Sequence, residues 1–119
     1  MHTIGIIAEY NPFHSGHRHH IQAVRQAFGA DCAVVCAMSG NWVQRGACAA
    51  ADKWTRAGWA LAGGADLVLE LPCAFSVREA EHFALGGVSI LTRLGFVTHL
   101  SFGAEDGLDA LLPAAALLD

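Results

Sequence analysis

His14 and His17 flank Gly16 inside the tract Glu9-Tyr10-Asn11-Pro12-Phe13-His14-Ser15-Gly16-His17-Arg18-His19-His20. Either imidazole can donate a hydrogen bond to a phosphate oxygen, and either can carry a proton near neutral pH. Gly16 has no side chain, so a phosphate can approach the backbone closely. A helix starting here would add its unpaired N–H groups and its positive dipole end to the same anion. That combination suits nucleotidyl transfer, in which charge builds up on an α-phosphate. It would catalyse by positioning and electrostatics, with no covalent step required of the protein. The chain has no P-loop lysine pattern and no G-x-G-x-x-G, so the common NTPase and dinucleotide readings lose support. A metal site built from His14, His17 and His20 is open on spacing, although a glycine- and proline-bearing loop of phosphate type fits it less well. No metal ligand is assigned.

Such a loop needs elements that hold it. Thr3–Ala8, Cys32–Met38, Leu67–Leu71 and Val97–Phe102 read as strands apolar on both faces, which suits a parallel sheet covered by helices. Between them, Gly16–Phe28 carries Ile21, Val24 and Phe28 at helical spacing, and Asp52–Ala62 carries Trp54, Ala57 and Leu61. Val77–Leu94 carries Ala80, Phe83, Gly87 and Leu91. Gly29, Gly63-Gly64 and Gly95 stand where these helices should stop. The tail from Leu108 reads as a fourth helix limited by Pro113. Alternating strands and helices imply right-handed crossovers and an α/β, Rossmann-like, doubly wound parallel sheet. Asn11-Pro12 imposes an extended or turn conformation just past the first strand. The histidine tract therefore lies beyond the carboxyl end of that strand, where ligands bind in open α/β sheets.

Composition bounds the rest. The 119 residues fit one domain, 1–119, and 54% hydrophobic with 15% charged residues excludes disorder. The longest apolar stretches, Ala33–Met38 and Ala110–Leu118, fall far short of the roughly 20 residues of a membrane span. Met1-His2-Thr3-Ile4 does not open a secretory leader, so a cytoplasmic protein is expected. Cys32, Cys36, Cys48 and Cys73 follow no zinc or redox spacing and read as reduced, mostly buried thiols. A net charge of −4 argues against a broad polyanion-binding surface but not against a local phosphate pocket.

The order strand, His-Ser-Gly-His, helix resembles the HIGH-motif nucleotidyltransferase superfamily, whose members adenylylate or cytidylylate small acids and phosphates with ATP or CTP. The tract Gly5–His17 is similar to the opening of the bacterial tRNA(Met) cytidine acetate ligases. So are Met38–Gly46, Asp52–Ala57, Asp66–Pro72, Ala80–Ala84 and Leu100–Glu105. Ser15 stands where that family often has Asn, and Glu79 replaces a small polar residue.

The resemblance implies activation of acetate by ATP to acetyl-adenylate and pyrophosphate, then acetylation of N4 of the wobble cytidine of elongator tRNA(Met). It implies that Ile7, Ala8, Glu9, Tyr10, Asn11, Pro12, Phe13, His14, Ser15, Gly16, His17, Arg18, His19 and His20 wrap the ATP. His14 and His17 would act on its phosphates as the catalytic pair. Gly103 would leave room for adenine, since the first and fourth strands neighbour one another in the usual strand order. ATP, with Mg2+, is the expected co-substrate, with no tightly bound cofactor. Family chains run to roughly three or four times this length, and most of the tRNA-binding surface is expected in the part beyond.

Arg45, Lys53 and Arg56 are candidates for contact with substrate or RNA. Trp54 is expected in the core, and Trp42 is a candidate for stacking on a base. Glu79, Glu81 and His82 read as a polar helix face. Two alternatives stand beside the ligase reading: a small-molecule adenylyltransferase, and an inactive nucleotide-binding fragment.

Overall fold

Isoleucines at positions 4, 6 and 7 and valines at 34 and 35 give the first two strands β-branched side chains, which pack well on a pleated surface. In the computed structural model, β1 (Thr3–Ala8), β2 (Ala33–Ser39), β3 (Leu67–Leu71) and β4 (His99–Phe102) pair in parallel, in the order β3-β2-β1-β4. A fifth strand, β5 (Ala110–Pro113), lies antiparallel to β4 at the sheet edge. The structure describes residues 1–102 and 110–113, with Arg45, Phe102 and the last four by backbone alone.

β5 corrects the helix expected from Leu108. Backbone pairing with β4 overrides the helical preference of Ala-Leu-Leu, and Pro113, which has no N–H to offer, sits at the strand's last position. The remainder of that tail, like Gly103, lies outside the described residues.

Helices cover both faces. Alternate residues of the central strands, Ile4, Ile6, Val34, Cys36 and Met38, pack with Ile21 and Val24 of α1 (Ser15–Phe28) and Ala60 of α2 (Lys53–Ala62). The opposite residues Val35 and Ala37 pack with Leu91 of α4 (Ala80–Arg93) and with Val97 and Leu100. This alternation is the doubly wound arrangement. Each fully buried isoleucine or leucine contributes about 1.5–3 kcal/mol.

The helix expected over Val77–Leu94 is present as α4, starting at Ala80, and a separate turn of helix stands before it. Pro72 opens that one-turn helix, α3 (Cys73–Ser76), the chain then turns, and Glu79 in extended conformation precedes α4. The turn between them lets Phe75 fold back onto α4 at Gly86, where a Cβ would collide with its ring. Gly87 similarly lets α4 lie against Ile7 of β1.

Two arginines tie the strand ends together. At the amino ends, Arg25 in the last turn of α1 donates to the carbonyls of Cys32 (2.6 Å) and Gly64 and pairs with Asp66 at 2.9 Å. Burial draws the Asp66 carboxyl upward, but the Val34 N–H and the Arg25 guanidinium hold it below the usual range. At the carboxyl ends, Arg56 donates to the carbonyls of Ala51 (2.9 Å), Glu9 (2.6 Å) and Gly40. No helix of the described residues is long and apolar enough to cross a membrane.

Candidate functional site

The loop after β1 begins with Tyr10, a buried residue in left-handed conformation at φ 49°, followed by a cis Asn11–Pro12 bond. The Tyr10 hydroxyl meets Cys36 Sγ at 3.5 Å under the sheet's end. Burial is the main reason that the Tyr10 hydroxyl titrates far above its usual range and that the Cys36 thiol is pushed up to about 11. Both stay protonated at neutral pH. The ring of Tyr10 forms a floor for Phe13 and His17, each centred 4.8 Å away edge to face.

The chain then enters α1 through a cap made of two imidazoles. His14 Nδ1 accepts the Gly16 N–H at 3.0 Å, and His17 Nδ1 accepts the His14 N–H at 3.1 Å. The rings stack at 3.7 Å between centroids. A ring that accepts through Nδ1 carries its proton on Nε2, so each imidazole presents one N–H outward. A Cβ at position 16 would lie 2.9 Å from the His14 ring, so Gly16 is needed for the cap as much as for any ligand.

Two expectations change here. The N–H groups of Gly16, His17 and Arg18 are already bonded to His14, so they are not free for an anion. His17 is not poised near neutrality either. Burial, then the neighbouring His14 and His20, push its pKa down to about 4, so it is uncharged at pH 7. The dipole and two Nε2–H donors remain for an anion.

These donors belong to a cavity of about 510 Å³ at the carboxyl end of β1. Ile6 to Pro12 form one wall, and His14, His17 and His20 form a second. His20, expected among the residues that wrap ATP, is half-buried and meets Ser101 Oγ of β4 at 2.7 Å. Phe83 of α4 completes the lining. Sequence reading had put Phe83 in an apolar stripe, and nothing in its spacing separates a core position from one at a cavity rim.

The other expected residues divide. Phe13, Ser15 and Arg18 line a neighbouring cavity of about 370 Å³, and exposed His19 lines neither. Glu9 and Asn11 border the first cavity, yet their side chains brace the loop after β2. Glu9 Oε2 accepts the Gln44 N–H at 2.8 Å, and Asn11 Oδ1 accepts the Ala50 N–H at 2.6 Å. Arg56 is withdrawn as a contact to phosphate. It is fully buried, and its guanidinium is spent on the three carbonyls above.

Because Arg56 and Ala60 take the inner face of α2, Trp54 turns outward and is 78% exposed, contrary to expectation. Lys53 pairs with Glu70 at 2.9 Å and lies over the Trp54 ring. Trp42 is half exposed beside the backbone of the Gln44–Gly46 turn that carries Arg45. Cys48 and Cys73 are exposed, so only Cys32 and Cys36 are the buried thiols expected. Glu79 bonds Arg78 and His82 on the outer face of α4's start.

The chain is 51% identical over 107 residues to a tRNA(Met) cytidine acetate ligase of Clostridium acetobutylicum, a match covering 90% of this chain and 26% of the relative. To the ligase of the same name from Anoxybacillus flavithermus it is 50% identical over 119 residues, covering 99% of this chain and 29% of that one. Among solved structures, Thermotoga maritima TmcAL bound with alpha-thio ATP superposes with a TM-score of 0.82 at 43% identity. That match covers 89% of this chain and 25% of the other. The chain thus spans between a quarter and a third of the length of these relatives. A double-imidazole cap at the end of the first strand is what a His-x-Gly-His signature becomes when folded, and the HIGH Nucleotidyl Transferase family model matches residues 1–119 throughout: the chain belongs to that family.

Proposed function

We propose that this chain is the ATP-binding, catalytic segment of an ATP-dependent acetate ligase that modifies elongator tRNA(Met) in the cytoplasm. The observation that carries the reading is the pair of imidazoles, each with Nδ1 committed to the cap and Nε2–H left to donate, in the lining of the β1-end cavity. The identity of about half to proteins named tRNA(Met) cytidine acetate ligase supports acetate as the acid and a tRNA(Met) cytidine as the acceptor.

In the first step an acetate oxygen attacks the α-phosphorus of ATP. The bond from that phosphorus to the bridging oxygen breaks, and pyrophosphate leaves. His14 and His17 hold the phosphate oxygens through Nε2–H. Their orientation is set before substrate arrives, so charge developing in the transition state meets donors that need no reorganisation. In the second step the N4 amine of cytidine attacks the acetyl carbon, AMP leaves, and the nitrogen gives up a proton. Magnesium would come with ATP as its phosphate complex and help neutralise the charge of the phosphates, and Glu9 is the carboxylate residue in the lining of this cavity.

The test is acetate-dependent exchange of labelled pyrophosphate into ATP. His17→Ala and His14→Asn should each lower exchange about a hundredfold. Asn at 14 keeps a side-chain acceptor at the helix start, so a loss there reports on the phosphate donor rather than on the cap. Exchange that ignores acetate would point to a small-molecule adenylyltransferase, and ATP binding without exchange to a binding segment only.

A further inference from the structure

His14 has a cavity on each side. Beyond it, away from the β1 end, lies the 370 Å³ cavity between the first turn of α1 and the second half of α2. Its lining is Phe13, His14, Ser15, Arg18, Trp59 and Ala62: two aromatic rings, a cation, a hydroxyl and no carboxylate. Trp59 is left 40% exposed there. Arg18 is exposed and enters none of the ion pairs among the described residues. It thereby differs from Arg25 and Arg56, which are committed to the fold.

We propose that this second cavity receives the acceptor base, an unpaired cytidine of an RNA strand, with its ring stacked on Trp59 and its phosphodiester on Arg18. The inference rests on the acetate ligase reading for the identity of the base, and on geometry for its place. An unpaired base offers a flat π face on which an aromatic ring such as indole can stack. A guanidinium matches phosphate oxygens in a planar fork. The volume is that of a small-ligand pocket. Because the His14 ring lines both cavities, an acceptor here and a nucleotide in the first cavity are separated by one imidazole.

The test uses the whole chain, with the trinucleotide CpCpC, free cytidine and ATP as separate probes, read by the Trp59 indole N–H signal and by equilibrium binding. Trp59→Ala should weaken CpCpC about tenfold and leave ATP within twofold. Arg18→Ala should weaken CpCpC but leave free cytidine within twofold, since only the trinucleotide brings phosphate. Wild-type affinity of Trp59→Ala for CpCpC overturns the proposal. So does a loss of ATP affinity in either variant, which would make the cavity the seat of the triphosphate end. Pyrophosphate exchange reports separately on the ligase reading. CpCpC binding that depends on Trp59 without acetate-dependent exchange supports the base site and sinks the ligase reading alone.

Discussion

An imidazole that accepts a backbone N–H through Nδ1 has only Nε2–H left to give, and His14 and His17 are both in that state. Protonating His17 at Nδ1 would break its bond to the His14 N–H and place a cation among Tyr10, Phe13 and His14. Its titration midpoint, followed by the ring-proton NMR shifts, should lie at about 4 rather than at the ordinary 6.5. The folded protein binds this proton less readily than the unfolded chain does. Stability should therefore be constant above about pH 6.5, fall as pH drops towards 4, and level off below, with urea midpoints tracing the decline. In His17→Gln that segment of the pH profile should flatten. The histidines and Gly16 could be read as a candidate phosphate site because their spacing is their chemistry. Their tautomers could not, because only folded geometry shows which ring nitrogen meets the backbone.

At the level of elements, strands and helices followed from apolar periodicity, while the orientation of one helix did not. The apolar stripe Trp54, Ala57 and Leu61 suggested one inner face for α2, yet Arg56 and Ala60 occupy it. Hydropathy ranks arginine outside, and it gives no credit for the three carbonyls that the loops after β1 and β2 and before α2 turn towards this guanidinium. Arg56→Met removes those bonds while keeping much of the side-chain volume. It should destabilise the chain by about 3 kcal/mol in urea unfolding. The same change should loosen the site loop, because Glu9 O is one of the three acceptors and Glu9 also holds Gln44. The one-turn helix α3 was hidden for a related reason. Phe75 and Gly86 are eleven positions apart and meet only once the chain has turned.

For the molecule as a whole, the sheet order β3-β2-β1-β4-β5 places β1 between β2 and β4, so the loop after β1 is served by neighbours on both sides. Asn11 and Glu9 reach the loop after β2, and His20 reaches Ser101 of β4. The parallel, two-faced architecture could be read from strands apolar on both sides. The antiparallel β5 could not, since Ala-Leu-Leu-Pro has no alternation and its partner strand is its only reason to be extended. On a chain of net charge −4, Arg18 is an exposed cation outside the ion pairs of the described residues, which suits a short contact with phosphate better than a long RNA track.

The uncharged state of His17 also makes occupancy of the site an acid–base event. A triphosphate brought against the ring favours its charged form and raises its pKa, so ATP binding draws a proton from the solvent as the pH approaches the free ring's midpoint of about 4. Calorimetric heats of ATP binding at about pH 4.5 should then differ between buffers of high and low ionisation enthalpy, and the difference should shrink in His17→Gln. Buffer-independent heats would mean that the phosphates leave this ring as they found it.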